Sequence, residues 1–409
     1  MAQSVLGSLT LGYRPLWSRA RQLAGLQLFV HEDGDGQHGQ HLLRTLAELW
    51  SAESPELLLS VRSRSALIDL VAHADAHSPV IELPLAALDD ADLRRVARDA
   101  RQRGVRMLWN GPPERRPDAE AQRWADRRGL QLSAADAACA LQAALRARQS
   151  AAEGRIVIRA EGSPVQAGAL VEGVASRALA EHALDQQGAW AVAGWPDDDV
   201  MHRYKGNPAP PTRRAIVQVM NALDEEQSLD RIELMFAQEA TLAYRLLLYL
   251  NSAGLGLRSG ISSLRHGFMM LGFRRLNAWL AEQLPGASED ANLRPVNAAM
   301  VLRAQLMEHL MDAGIEDDLR REVYLCGLFS QLDLMMDEPL RASFARIPLA
   351  DRIVSATISH TGPYAPALQL ANALASDDPA PLRALRTAYE VSTEEINRAL
   401  LRTLAALAR

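Results

Sequence analysis

The residues of this 409-residue chain that could do chemistry fall in a few short stretches. "HEDGDGQHGQH" (31–41) gathers His31, Glu32, Asp33, Asp35, His38 and His41, a set of metal-capable donors. It lacks the terminal acid of a calcium loop and has no zinc-type spacing on a fixed element, so it reads as a solvated strand-to-helix loop. His73 and His77 in "AHADAH" are four residues apart and would share one helix face, an exposed pair rather than a ligand pair. His360 in "SHTGPY" has no nucleophile or carboxylate motif beside it that would make it a catalytic base. Cys139 and Cys326 are distant from each other in apolar helical contexts and read as two buried thiols in a reducing cytoplasm. The arginine-rich runs "DLRRVARDARQRGVR" and "ERRPDAEAQRWADRRG" interleave Asp92, Asp99, Glu114, Asp118, Glu120 and Asp126 with the arginines. Ion-paired, solvated helices are the expectation there, not a nucleic-acid face.

Composition sets the frame for these stretches. A chain of this length exceeds what one core usually serves, so two domains are expected. With 48% hydrophobic and 23% charged residues it reads as globular, and a formal charge of -6 leaves no basic footprint for nucleic acid. The N-terminal "MAQSVLGSLTLGYRPLW" shows no signal peptide, and no run approaches the ~20 apolar residues of a membrane span. A cytoplasmic protein is expected.

The elements that must position the chemistry divide at "YKGNPAPPT" (204–212), where three prolines favour an extended linker. Before it, "SLTLGYRPLW", "LQLFV", "PELLLSV", "PVIEL", "GVRMLW", "GLQLS", "GALVEGV" and "AWAVAGW" read as strands, with helices such as 39–51, 89–103, 118–128 and 175–187 between most of them. Eight strands alternating with helices predict a short, TIM-like α/β barrel over 1–203. "GRIVIRAEG" (154–162) competes with "GALVEGV" for the seventh place. After the linker the pattern is helical only, which predicts an all-α domain over 213–409. There, Ser228 suits a helix cap, and Asn251 and Gly254 suit the close of "TLAYRLLLYLNSAGLG".

Within that helical half, Leu242, Leu246, Leu247, Asn251, Ser252, Ile261, Ser263, Leu271 and Gly272 follow the order L-x-x-x-L-L-x-x-x-N-S, I-x-S, L-G. The stretch resembles the HDOD domain, an all-α relative of the HD phosphohydrolases. "CGLFSQLDLMM" (326–336) has the frame in which those enzymes place their His-Asp metal pair, but Ser330 and Gln331 stand at the ligand positions before Asp333. The resemblance implies a module without phosphohydrolase metals, so no cofactor is expected.

The N-terminal half is similar in outline to an EAL domain, the barrel that hydrolyses cyclic di-GMP. "YRPLW" falls at that family's first strand, placing Arg14 near the expected mouth, and "GLQLFVH" falls at the E-A-L motif with Gln27 in place of the metal-binding glutamate. Glu82 in "VIELP" matches a retained glutamate, and Glu172 in "LVEGVAS" keeps the spacing of the last two strands. "WNGPP" puts Trp109 and Asn110 where two aspartates belong, an indole beside the expected phosphates, and Gln131 and Ser133 replace a lysine and an aspartate. Two metals clamping a phosphodiester need several converging carboxylates, and in-line attack needs a base. The resemblance therefore implies a degenerate, non-catalytic barrel joined to an HDOD domain, a scaffold or adaptor for other signalling proteins in cyclic di-GMP-related regulation. A catalytically inactive cyclic di-GMP receptor is the alternative, using Arg14, Glu82 and Glu172 for the ligand; residual phosphodiesterase activity lacks the ligands it would need.

Overall fold

In the computed structural model the described residues are 5–33, 38–154, 158–252, 260–311 and 316–407. The chain forms two compact units, one of residues 1–196 with 373–409 and one of residues 197–372.

In the first unit β1 (Leu9–Trp17), β2 (Leu23–Glu32), β3 (Leu57–Val61), β4 (Val80–Pro84), β5 (Met107–Gly111), β6 (Arg127–Gln131), β7 (Leu170–Glu172) and β8 (Ala191–Ala193) close a barrel in chain order. The eight expected strands are all present, the seventh within "GALVEGV". Of the competing stretch, residues 155–157 lie outside the described residues and the rest carries no strand. From β2 to β8 each strand pairs parallel with the next, which requires crossovers. α1 (Gly39–Leu49), α2 (Arg64–His73), α3 (Ala91–Gln102), α4 (Ala134–Ala152) and α5 (Arg177–Glu181, prolonged by a π turn to Gln186) supply most of them. Ser63, Asp90, Ser133 and Ser176 cap four of these helices by accepting backbone N–H bonds.

Three local expectations fail. The helix expected over 118–128 is a short turn, Ala121–Trp124, followed directly by β6, because its acids reach across to α3: Arg94 meets Asp118 at 2.8 Å and Arg101 meets Asp126 at 2.8 Å. α2 ends at His73, and the Asp75 carboxylate accepts from the backbone of His77 and Ser78 in a turn, so His73 and His77 share no helix. Cys139 is exposed on α4, whereas Cys326 is buried.

β1 runs antiparallel to both neighbours, β2 and β8. The β1–β2 connection is a tight hairpin over 18–22 and carries no helix, so the outer face of β1 (Leu9, Leu11, Tyr13) has no crossover to bury it.

The second unit is all-α: α6 (Asp197–His202), α7 (Arg213–Asp224), α8 (Leu229–Ala237), α9 (Ala240–Leu250), α10 (Leu264–Gln283), α11 (Leu293–Leu310), α12 (Asp317–Phe329), α13 (Leu332–Met336), α14 (Leu340–Phe344), α15 (Asp351–Val354) and most of α16 (Ala365–Leu374). Its core packs Phe236 against Phe268 with the rings tilted and their centroids 4.9 Å apart, and Tyr244 edge-on against Phe329. The proline-rich stretch 204–212 is not a free linker. Ala209 is buried and its N–H donates to Met335 O at 2.8 Å, Pro211 O accepts from Ser288 N at 2.9 Å, and Thr212 caps α7. A proline still leaves its carbonyl to pair, and the helical unit uses that of Pro211.

The remaining helices, α17 (Ala380–Tyr389) and α18 (Thr393–Ala405), belong to the barrel unit, so the helical domain does not run to 409 as expected. α18 packs on β1, on α1 and on the turn Val5–Gly7, burying Ile396, Leu400, Leu401 and Leu404. It supplies the missing cover for β1. The fully buried Asn397 fastens it, its Nδ2 donating to Leu6 O at 2.8 Å and Leu9 O at 2.6 Å. No helix among the described residues is long and apolar enough to cross a membrane.

Removing the Asn397 amide strands two buried carbonyls. Asn397→Ala is expected to destabilise the chain by about 2 kcal/mol, read from urea denaturation; an unchanged midpoint would mean that α18 does not hold the barrel.

Candidate functional site in the barrel lumen

Alternate residues of each strand face the lumen and stack there in layers. The lowest layer is apolar: Leu16, Leu58, Val80, Leu108, Leu170 and Ala191 form one buried cluster. Two residues away along β1, β3, β4, β5 and β7, and at Gln27 of β2, the chemistry changes. Arg14, Gln27, Ser60, Glu82, Asn110 and Glu172 form a polar layer, of which Gln27, Ser60, Glu82 and Asn110 are each buried.

Two carboxylates so enclosed repel each other unless donors or a cation lie between them. Here amides lie between them. Gln27 Nε2 donates to Glu82 Oε2 at 3.0 Å, Glu172 Oε1 at 3.1 Å and Ser60 Oγ at 3.1 Å. Asn110 Nδ2 donates to Glu82 Oε1 and Glu172 Oε1, both at 2.9 Å, and Ser60 Oγ donates to Glu82 Oε2. An amide turned the other way would set its oxygen against a carboxylate, so the amino groups face the acids and Gln27 Oε1 and Asn110 Oδ1 are left without partners. Arg14 is the nearest cation, 3.9 Å from Glu172 Oε2. Burial pushes the Glu172 carboxyl above its ordinary range and the charge of Glu82 adds to this, against the pull of Arg14, Gln27 and Asn110. Among the described residues no group of three or more His, Cys, Asp or Glu side chains could hold a metal ion.

Above this layer the mouth is cationic. Arg14 and Arg62 both lie against the Phe29 ring, 5.0 and 5.2 Å from its centroid.

The structure thus brings together Arg14, Glu82 and Glu172, along with Gln27 and Asn110, which the sequence marked as replacements. Ser60, Arg62 and Asp377, which meets both arginines, carry no motif in the sequence. Trp109 does not join them. Its indole points away from the lumen, donating to Ala121 O at 2.7 Å and packing near Trp124, because it alternates with lumen-facing Leu108 and Asn110. Gln131 is exposed at the end of β6, and Ser133 caps α4 with Asp136 in a capping box. The "WNGPP" loop is held by Arg128, whose Nη2 donates to the carbonyls of Pro112, Pro113 and Arg115. Of the 31–41 stretch, residues 34–37 lie outside the described residues; Asp33 accepts from Thr10 and pairs with Arg383 and Arg386.

In the helical unit the HDOD-pattern residues have structural tasks. Leu242, Leu246 and Leu247 are fully buried on α9, and Ile261 and Leu271 are buried as well. Asn251 closes α9 and clasps the next segment: its Nδ2 donates to Leu247 O and Ile261 O, and its Oδ1 accepts from Ile261 N, each at 2.8 Å. Ser252 Oγ donates to Tyr249 O, and Ser263 caps α10. Gly272 kinks α10 with φ 69°, a conformation that other side chains resist. Ser330 ends α12 by donating to Gly327 O, so 326–336 is two helices with a break at Ser330–Gln331 rather than one. Burial pushes the Cys326 thiol up to about 12, which disfavours the thiolate.

Known proteins add the following. The family model "HDOD domain" matches residues 208–342, a shorter span than the expected 213–409 and entirely within the helical unit. The chain is 24% identical over 166 residues to the uncharacterized protein YuxH of Bacillus subtilis, covering 39% of this chain and 40% of that one. It is 26% identical over 140 residues to the cyclic di-GMP phosphodiesterase CdgJ of Vibrio cholerae, covering 34% of this chain and 32% of that one. The match therefore spans two fifths or less of these curated relatives. A solved structure, the MmoQ response regulator from Methylococcus capsulatus, is 16% identical with a TM-score of 0.35, over 48% of this chain and 98% of that one. Residues 208–342 are an HDOD domain.

Proposed function

We propose that this chain is a non-catalytic, cytoplasmic signalling adaptor: a degenerate, TIM-like barrel of EAL type joined to an HDOD domain, acting by binding other signalling proteins in cyclic di-GMP-related regulation. One observation supports the non-catalytic reading. The lumen carboxylates Glu82 and Glu172 are bridged by the amino groups of Gln27 and Asn110, which occupy the position between them that a cation would need. An amide delivers only partial positive charge and cannot activate water as a metal does. A likeness to a cyclic di-GMP phosphodiesterase supports the regulatory setting. A second reading, an inactive cyclic di-GMP receptor, draws on the two arginines at the mouth, which suit an anionic ligand without a metal.

The full chain, incubated with cyclic di-GMP and magnesium or manganese, is expected to release no linear product above an enzyme-free control. Turnover that is lost on Glu82→Gln would end the adaptor reading.

Gln27→Glu should set a third carboxylate against Glu82 and Glu172 and cost about 3 kcal/mol in the presence of a chelator. Millimolar manganese should restore much of this loss, while the unmodified chain should be indifferent to manganese. Equal thermal stability of the two chains in chelator would show that the Gln27 amide bridges nothing of consequence.

Because the Glu172 pKa is raised above its ordinary 4.5, its contribution to stability is full below that value and is lost as pH rises through the folded-state pKa. Glu172→Gln keeps the acceptor without the titration. Its melting temperature, relative to the unmodified chain, should be more favourable at alkaline than at mildly acidic pH; a difference that does not vary with pH contradicts the assignment.

A further inference from the structure

Arg14 and Arg62 lie on the same Phe29 ring and need an anion between them. The chain itself provides one. Asp377 Oδ2 is 3.4 Å from Arg14 Nη2 and 3.5 Å from Arg62 Nη2, a single carboxylate oxygen shared by two guanidinium groups. This carboxylate arrives on the segment between α16 and α17, which follows the helical unit in the chain and returns to the barrel. Its approach is built in. A Cβ on Gly12, which faces the lumen opposite Phe29, would overlap the carbonyl oxygen of Ser376, so only glycine admits the segment over the mouth. The segment is shaped locally, with Asp378 N donating to Ser376 Oγ and Ala380 N to Asp378 Oδ1. It is tethered beyond by Arg383 and Arg386, which pair with Asp33 at 2.7 and 3.0 Å.

The Asp377 contact differs from a structural ion pair of the same barrel. Arg21 holds Asp185 with two bonds of 2.7 and 2.6 Å and is almost wholly buried. Asp377 makes no such fork; its side chain is 45% exposed, with Arg14 at 28% and Arg62 at 39%. A long, monodentate, solvent-accessible pair can be displaced, and a phosphate-type oxyanion offers enough acceptors for each guanidinium to bind in forked geometry.

We propose that Ser376–Asp378 is an intramolecular plug, in which the Asp377 carboxylate occupies a two-arginine oxyanion site at the barrel mouth and a phosphate-bearing ligand binds only by displacing it. The plug places the site under the control of the segment that joins the helical unit back to the barrel. It goes beyond the adaptor reading and stands independently of whether the barrel hydrolyses anything.

Titration calorimetry on the full chain at low ionic strength tests this, with inorganic pyrophosphate and cyclic di-GMP as separate probes. Asp377→Asn, which keeps the side-chain volume, and Asp377→Ala should each bind pyrophosphate at least tenfold more tightly than the unmodified chain. Adding Arg62→Ala to either variant should remove that gain. A parallel gain for cyclic di-GMP would place the phosphate on a nucleotide, and a gain for pyrophosphate alone would place it on a free anion. Circular dichroism confirms that the variants compared are folded, and Asp377→Asn carries the test if Asp377→Ala is not. Equal affinity with and without the Asp377 carboxylate, or a gain that survives Arg62→Ala, overturns the plug.

Discussion

The reversed direction of β1 is the constraint on which the barrel unit depends. Seven parallel strands need crossovers, and the crossovers cover their outer faces; an antiparallel first strand joined by a hairpin leaves its own face bare. A bare face carrying Leu9 and Leu11 cannot remain in water without cost. The chain meets this need with residues that come after the helical unit, through α18 and its Asn397 clasp. The barrel unit is therefore discontinuous in sequence, and the helical unit is an insertion within it. The same return carries Asp377 past Gly12 to the mouth, so the strand reversal that calls for a cover also delivers a carboxylate to the arginines.

The lumen works by a second rule, that buried charge must be answered locally. Glu82 has its oxygens met by Ser60, Gln27 and Asn110, a full set of neutral donors. Glu172 shares two of these donors and has only a distant arginine besides, so burial works against its charge. The two acids sit in the same layer and differ in the number of donors around them. The apolar layer lies directly beneath the polar one.

In the helical unit, buried polar groups hold connections together. Asn251 makes three bonds across the end of α9, and the buried Glu239 accepts from Thr212 and Asn297. Burial raises Glu239 to about 7, opposed by those two donors, and the bonds tie the start of α7 to α9 and α11. The proline-rich stretch that precedes α7 is drawn into the same scheme through the Pro211 carbonyl and the N–H of Ala209.

Local patterns in the sequence determined much of this protein. Runs such as "PELLLSV" and "GVRMLW" carry their strand propensity with them, and period-two alternation places Leu58 with Ser60 and Leu108 with Asn110 on one face wherever the strand goes. The spacing of Leu242, Leu246, Leu247 and Asn251 likewise specifies a buried helix face and its closing residue. The direction of β1, the return of 373–409 and the meeting of Asp377 with Arg14 and Arg62 left no local mark. Asn397 bonds a carbonyl 391 residues earlier in the chain, and nothing in the neighbourhood of either residue encodes the other. Such pairings follow from which surfaces remain uncovered once every strand is in place. That is a property of the closed barrel, and only the tertiary structure decided it.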